Sequence, residues 1–292
     1  MKDGAGDAGI LLLDAERADA TLPDGAALPS TTYVRVAQMS ADFGAIDFCV
    51  RSKVEQFGPL VTPNVVDAGS SDASVAGVGF GQVSQYVAVS VSGTVDIAIV
   101  AAPATDCSSP IAVSTVTLDP GKHDTIALMG VAKSNVSSDR ALGVSAFVDD
   151  SLGNPALVRM RFVNAALGTA QYPGIGPFAA ALANANSVMP LAGEVLPRKA
   201  SSPSVDPVVD ALGYHNLSVA PKGQVGLRVS YGSDSGINVW TSKPVDLALT
   251  LGSSRTVFVV SLPYAYKSFI GAFVCDDLEH APASQCVWAP AY

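Results

Sequence analysis

Two pairs of adjacent aspartates are the residues of this chain best suited to chemistry. Asp149-Asp150 and Asp276-Asp277 each end a strand-like run, and both runs contain the same Ala-Phe-Val sequence. Adjacent carboxylates at a strand end supply hard oxygen ligands, and backbone carbonyls and water can complete the roughly six to eight positions around calcium. Calcium is therefore the one cofactor that the sequence suggests. We expect the simpler role, in which the acids solvate a turn and keep a sheet edge from pairing, with calcium as its alternative.

Histidine and serine offer little for acid–base or nucleophilic catalysis. His123 lies beside a turn, His215 begins a strand and His280 lies in a polar loop, and none has the spacing of a metal ligand. We expect all three to be solvated surface side chains. The SDSG sequence at residues 233–236 is similar to the nucleophile region of trypsin-like proteases, but Ser, Asp and Gly are turn residues and we expect a β-turn. Because no motif of a known catalytic site occurs, we expect no enzyme activity.

Charge and composition exclude several classes of protein. The chain has 17 Lys and Arg against 26 Asp and Glu, a formal net charge of −9, so it lacks the basic patches that bind nucleic acid. Hydrophobic residues make up 49% of the chain, which is ample for packed cores. No apolar run approaches the roughly 20 residues that span a bilayer, so we expect no transmembrane segment.

The four cysteines indicate where the protein works. None lies in the spacing of a zinc site, and each half of the chain contains two. We therefore predict two disulfides, Cys49–Cys107 and Cys275–Cys286. Disulfides would place the protein in the periplasm or outside the cell. The alternative is a cytosolic protein with four buried free thiols.

Residues 1–30 form a predicted N-terminal arm. Its sequence KDGAGDAG at residues 2–9 looks like the tether of a bacterial surface lipoprotein, with Met1 where the lipidated cysteine would stand; the alternative is a trimmed mature N-terminus. Residues 9–22 contain the apolar sequence ILLL. We expect this segment to pack on the first domain. The alternatives are pairing with a neighbouring copy, as in strand-exchange fibres, or disorder.

Alternation of apolar and polar residues predicts strand after strand. The run LVRMRFV at residues 157–163 alternates strictly, as do residues 225–231 and 245–251. Alternation of this kind is typical of antiparallel strands with one buried face. One short helix is predicted at Pro177–Met189, where proline could occupy the first helical position.

The strands recur in the same order, which predicts a tandem duplication. YVRVAQMS at residue 33 corresponds to LVRMRFVN at residue 157, and SAFVDD at residue 145 corresponds to GAFVCDD at residue 271. We therefore predict domains at residues 31–151 and 156–292, joined by the linker SLGNP, with a divergent insertion at residues 168–213. Short strands separated by turns in units of this size predict two tandem antiparallel β-sandwiches of immunoglobulin-like type.

The order of these motifs resembles the bacterial family called domain of unknown function 4397. The resemblance is clear over the first unit and weaker over the second. It implies exported, often cell-surface, β-sandwich repeats with no established activity, and it supplies no functional residues. The elements that carry it are Val34–Val36, Ser40–Asp42, Ile46–Phe48, Gly81–Tyr86 and Leu118–Thr125.

Exposed aromatic rings would indicate a sugar-binding surface. The candidates are few, and we expect packing in the core to account for most of them. They are Trp240, Trp288, Tyr264, Tyr266, Phe269 and Phe273.

The sequence therefore predicts a non-enzymatic, exported envelope or cell-surface protein with a structural or adhesive binding role. Its partner would be a surface polysaccharide or another envelope protein. The alternatives are a carbohydrate-binding module, a strand-exchanging subunit of an extracellular fibre that associates through the N-terminal arm, and a hydrolase with an unrecognised site.

Overall fold

The regular elements are strands. A computed structural model describes the fold, and each of its elements in the described residues is a β-strand, which confirms the all-β prediction. In that part of the chain no helix could cross a membrane. The N-terminal arm, His280, the SDSG sequence and Tyr264, Tyr266 and Phe269 lie outside the described residues. The residues that the structure describes are 31–52, 55–58, 60–61, 77–132, 137–138, 140–167, 176–183, 188–206, 208–231, 238–262, 270–278 and 286–289.

The first sandwich consists of an inner and an outer sheet. The inner sheet has the strand order β4-β1-β8-β9, with β5 also paired to β1, and the outer sheet has the order β3-β2-β6-β7. Its strands are β1 (Thr32–Gln38), β2 (Ile46–Ser52), β3 (Leu60–Val61), β4 (Gln82–Val83), β5 (Val87–Val89), β6 (Gly93–Ala101), β7 (Ala112–Leu118), β8 (His123–Met129) and β9 (Gly143–Val148).

The second sandwich repeats this plan. Its inner sheet has the order β13-β10-β16-β17-β18 and its outer sheet the order β12-β11-β14-β15. Strand for strand, β10 corresponds to β1, β16 to β8 and β17 to β9, and β18 is an addition at the edge. The strands are β10 (Val158–Ala165), β11 (Phe178–Ala183), β12 (Val188–Val195), β13 (Tyr214–Leu217), β14 (Gly226–Tyr231), β15 (Asn238–Thr241), β16 (Ser254–Ser261), β17 (Ile270–Asp276) and β18 (Cys286–Ala289).

Each inner sheet contains one parallel pair of strands. β1 runs parallel to β8, and β10 runs parallel to β16, whereas the other pairs of named strands are antiparallel. The sheets are therefore mixed at their centres, which differs from the purely antiparallel sheets predicted. The immunoglobulin-like classification stays a prediction.

Three apolar layers hold the four sheets in a stack. One layer lies between the two sheets of the first sandwich and includes Val34 and Phe48, and another lies between the two sheets of the second and includes Phe162. The third layer contains residues of both inner sheets, among them Ala127 and Phe258. The two inner sheets therefore face each other, and residues on both of their faces are buried.

Two local predictions are wrong. The helix expected at Pro177–Met189 is instead strand β11 and the start of β12. These strands also occupy part of the predicted insertion at residues 168–213, where they correspond to β2 and β3. The strand expected at residues 245–251 is not formed, because Val245 makes only an isolated bridge to Val225 and Ala248 has a φ of 48°, outside the extended range.

Candidate functional site

Two arginines lie buried between the inner sheets, at equivalent places on β1 and β10. Successive residues of a strand point to opposite faces, so Arg35 leaves the core of its sandwich to Val34 and Val36 and points towards the other sandwich. Arg161 does the same between Met160 and Phe162. The two side chains are 3% and 1% exposed, so neither guanidinium is solvated and each needs partners within the protein.

Arg35 finds its partners mainly in the second sandwich. One terminal nitrogen, Nη2, donates a hydrogen bond to Oδ1 of Asp277, and the other, Nη1, donates to the backbone carbonyl of Asp276. Within its own sheet, Nε donates to Oγ1 of Thr125 over 2.7 Å. Arg35 therefore joins the first sandwich to the end of strand β17.

Arg161 makes the reciprocal set of bonds to the first sandwich. Its Nη2 donates to Oδ1 of Asp149, its Nη1 donates to the carbonyl of Val148 over 2.7 Å, and its Nε donates to Oγ1 of Thr256 over 3.1 Å. Each arginine thus binds a threonine of its own sandwich, and a carboxylate and a carbonyl of the other.

Two tyrosines complete this arginine–aspartate cluster. Tyr86 donates its hydroxyl hydrogen to Oδ2 of Asp149 over 2.7 Å, and Tyr214 donates to Oδ2 of Asp277 over 2.8 Å. Each tyrosine ring also lies 4.9 Å from the guanidinium carbon of Arg35 or Arg161, respectively. Burial, together with the nearby carboxylates, raises the pKa of both hydroxyls, so they stay protonated and act as donors.

Both arginines keep their positive charge. Burial by itself lowers the pKa of Arg35 and of Arg161, but the neighbouring tyrosine, Asp149 and Asp277 raise the pKa of each above its ordinary value. The acceptor oxygens of both carboxylates are occupied by guanidinium, threonine and tyrosine donors. The arrangement therefore lacks a nucleophile or a free acid–base pair, and it holds the two sheets together.

The four predicted aspartates divide into two kinds. Asp149 and Asp277 are the buried members, and each is held at the same place in its sandwich, since their amides bond to the carbonyls of His123 and Ser254. The duplicated motif is therefore displaced by one residue: Asp149 corresponds to Asp277, and Asp276 corresponds to Val148. The predicted correspondence of YVRVAQMS with LVRMRFVN matches Arg35 with Arg159. The strand register shows instead that Arg35 corresponds to Arg161, two residues later.

Asp150 and Asp276 lie nearer the surface and also bind arginines. Asp150 pairs with Arg159, which also contacts Asp210, and Asp276 pairs with Arg255. In the described residues no group of three or more His, Cys, Asp or Glu side chains is arranged to hold a metal ion. Calcium would have to displace an arginine from each of these carboxylates, and calcium binding stays a prediction.

The described histidines are not solvated surface residues, contrary to the prediction. His123 is buried, with its ring stacked on Tyr33 at 4.7 Å and edge-on to Tyr86 at the same distance. His215 is half-buried, and burial lowers its pKa while Asp206 opposes that shift. His123 is therefore part of a packed aromatic cluster, and His215 is partly covered.

The predicted disulfides are confirmed. Cys49 is bonded to Cys107, and Cys275 is bonded to Cys286. The first bond ties strand β2 to the loop after β6, and the second joins directly opposed residues of β17 and β18. Each sandwich therefore contains one of the two bonds, as predicted.

Two depressions lie at the junction of the sandwiches. The larger, of about 510 Å³, is bordered by Phe147 of β9 and by Leu196, Val205 and Leu212 of the second sandwich. The smaller, of about 300 Å³, is lined by Phe80, Leu262, Phe273 and Trp288. Of the predicted sugar-binding aromatics, Trp240 is in the core, whereas Phe273 and Trp288 line this smaller pocket.

The amino-acid sequence did not indicate the two arginines, because alternation alone does not distinguish a buried cation from a solvated one. One signal was available. Arg35 and Arg161 lie within strands whose alternate residues are apolar, and the parallel neighbour places Thr125 beside Arg35 and Thr256 beside Arg161. A strand that is polar on one face in both copies could have indicated a shared polar interface.

Comparison with known proteins identifies a family and a few distant structural similarities. The model of a family described as "Domain of unknown function (DUF4397)" matches residues 32–171. A leucine-rich repeat protein from Bacteroides thetaiotaomicron is 14% identical with a TM-score of 0.21, and the match covers 74% of this chain but only 24% of that one. A candidate adhesin from Bacteroides ovatus is 7% identical with a TM-score of 0.20, and the match covers 88% and 95%. Similarity this low supports no functional argument. No curated protein matches the chain.

Proposed function

We propose that this chain, whose residues 32–171 belong to the DUF4397 family, is a non-enzymatic, exported protein of the bacterial envelope or cell surface. Its role is structural or adhesive: the two sandwiches form one rigid body that presents its outer sheets and loops to a partner. The partner is a surface polysaccharide or another envelope protein.

The observation that carries this proposal is the closed arginine–aspartate cluster. The buried charged groups that could have performed chemistry bind one another across the interface, as Arg35 does with Asp277 and Arg161 with Asp149. Removing one partner of a buried ion pair costs about 3–5 kcal/mol, because the other charge is left buried without a partner, so any shifted arrangement of the two sheets that unpairs these groups is penalised. The polar interior is therefore suited to fixing a shape.

The two disulfides support the location outside the cytoplasm. Structural disulfides form and persist in oxidising compartments, and neither bonded pair, 58 and 11 residues apart, has the spacing of a zinc or redox motif. The test is to produce the protein from its complete gene in its own host and to treat intact cells with an external protease. We expect digestion of the protein and no maleimide-reactive thiol after denaturation without reductant. Protection from the protease together with reactive thiols would contradict the proposal.

Carbohydrate binding is the second candidate, because Phe80, Phe273 and Trp288 line an open pocket. Aromatic rings form the platforms on which sugar rings stack. A glycan array distinguishes the two functions when it is probed with the protein and with Trp288→Ala. Retention that Trp288→Ala abolishes, but that Tyr231→Ala on the outer sheet preserves, would establish the carbohydrate-binding function in place of a purely protein-directed one.

A further inference from the structure

The interface between the sandwiches is built from two copies of one set of contacts. Arg35 of the first sandwich binds Asp277 and the carbonyl of the residue before it. Arg161 of the second binds Asp149 and, again, the carbonyl of the preceding residue. The two sets are exchanged by a rotation that superposes one sandwich on the other, which is the arrangement of an isologous dimer.

Each sandwich therefore carries both halves of the contact. The first sandwich has the cation, Arg35, and also the anion and carbonyl, Asp149 and Val148, that receive an arginine. Thr125 and Tyr86 of the same sandwich position these groups. A second first sandwich, rotated into the place of the second, would meet Arg35 with Asp149 and Asp149 with Arg35.

The apolar residues around the cluster fit the same exchange. From the strand register, Ala37 corresponds to Val163, and Ala127 corresponds to Phe258. These positions are apolar in both sandwiches, so no charge would be buried without a partner if one sandwich replaced the other. At these two positions the first sandwich has the smaller side chain, so its pairing with itself would leave a gap that Phe258 fills in the intact chain.

We infer that the inner face of the first sandwich is a self-complementary docking surface whose partner is a second copy of the same sandwich. Its recognition elements are Arg35 as donor and Asp149 with the Val148 carbonyl as acceptors. In the intact chain the second sandwich occupies this surface. When the two sandwiches are disconnected, first sandwiches pair with each other as a minor species beside the better-packed mixed pair.

The test begins with the complete chain, so that both sandwiches fold before they are separated. A protease site is inserted at residues 154–156, which are exposed in the connection between β9 and β10, and is cut in the native protein. Native mass spectrometry should first show one complex of both fragments. After incubation in mild denaturant and its removal, we expect a dimer of first-sandwich fragments beside the mixed pair.

Two variants make the outcome specific. Arg35→Gln removes both arginines from the first-sandwich dimer but only one from the mixed pair, so the dimer should disappear while the mixed pair persists. Arg161→Gln leaves the first fragment unchanged and weakens only the mixed pair, so the share of the dimer should rise, by about tenfold for each 1.4 kcal/mol lost.

Arg51→Gln is the matched control, because Arg51 pairs with Asp96 on the outer sheet. It should leave all species unchanged. If only mixed pairs and monomers are found in the parent protein and in Arg161→Gln, the surface is not self-complementary and the inference is wrong. A dimer that survives Arg35→Gln would also overturn it, because the contact would then not depend on the proposed donor.

Discussion

Asp124 has the least favourable environment of the described acids. It lies on β8, is fully buried, and neither of its carboxylate oxygens has a hydrogen-bond partner in the described structure. Because alternate residues of a strand point to the same face, Asp124 lies on the face of β8 that also carries Ile126 and faces the core of the first sandwich. Burial, assisted by Asp149 and Asp119, raises the pKa of Asp124 to about 7, against the smaller opposing effect of Arg161.

The raised pKa makes the stability of the protein depend on pH. An unfolded aspartate titrates near 3.8, so the folded state holds a proton that the unfolded state releases. The stabilising effect is complete below the unfolded pKa and is lost as the pH rises through about 7. We predict that Asp124→Asn unfolds at a higher urea concentration than the parent protein at pH 8, with a difference of up to about 4 kcal/mol in unfolding free energy.

At pH 5 the difference between Asp124→Asn and the parent should fall to about 2 kcal/mol, because the parent carboxyl is then protonated in the folded state but ionised in the unfolded state; it should vanish below a pH of 3.8. Asp96→Asn, on the outer sheet, is the control for a general effect of removing a carboxylate. An equal stabilisation by Asp124→Asn at both pH values would show that the carboxyl does not titrate in this range.

At the scale of single residues, the sequence predicted those bonds that only one type of side chain can form. Cysteine pairs with cysteine, so Cys49–Cys107 and Cys275–Cys286 could be paired from their positions in the two copies. An aspartate has many partners, so Asp149 and Asp277 were recognised as important but given solvent or calcium. Their arginines lie far away in sequence and could be found only in three dimensions.

At the scale of elements, β18 depends on the bond between Cys275 and Cys286. Among the described strands, β18 lies at the edge of its sheet and pairs with β17 alone. Replacing both cysteines by alanine should lower the unfolding free energy by about 3 kcal/mol, because the bond closes a short loop in the unfolded chain. The amides of β18 should also exchange with deuterium faster than in the parent protein.

The variant that replaces Cys49 and Cys107 by alanine is the comparison, since that bond closes a longer loop elsewhere. It should cost about 4 kcal/mol and leave the exchange of β18 unaltered. If both variants accelerate exchange in β18 equally, the protection of β18 comes from global stability instead of from its own disulfide.

Strand β11, which the sequence predicted as a helix, shows that strand pairing can outweigh intrinsic helix propensity. FAAALA in β11 favours a helix by intrinsic propensity, since alanine and leucine are the best helix formers. In the structure Phe178, Ala180 and Leu182 are buried in alternation, and β11 pairs on both sides. Pairing with β14 and β12 thus outweighs propensity, and Pro190 is tolerated because β12 is an edge strand.

For the whole molecule, we predict that the two sandwiches unfold together. The third apolar layer and the arginine–aspartate cluster are lost by both when either one unfolds. The parent protein should therefore show one calorimetric transition. Ala127→Asp places an unpaired carboxylate in that layer, where Ala127 is fully buried, and should split the transition in two.

Val113→Asp is the control, because Val113 is 48% exposed on the outer strand β7. It should retain the single transition. Two transitions in the parent protein, or one unchanged transition in Ala127→Asp, would mean that the interface does not couple the sandwiches.

The stacking of the two sandwiches could not be predicted from alternation. The pattern of β10 showed which residues share a face, and it predicted that Val158, Met160 and Phe162 would face a core. The same pattern led to the expectation that the opposite face of β10, which carries Arg159 and Arg161, would be exposed to solvent. Whether a polar face is covered depends on the partner surface, and here that surface lies on a strand remote in the chain.

The exchange of arginines between the halves also has a consequence for biogenesis. Synthesis proceeds from the N-terminus, so Arg35 and Asp149 have been made long before Asp277, which follows β17. During that interval the inner face of the completed first sandwich, which is buried in the complete chain, is exposed to solvent. A chaperone that shields this nascent face, or slow delivery of the remaining strands, would therefore decide how many molecules mature correctly.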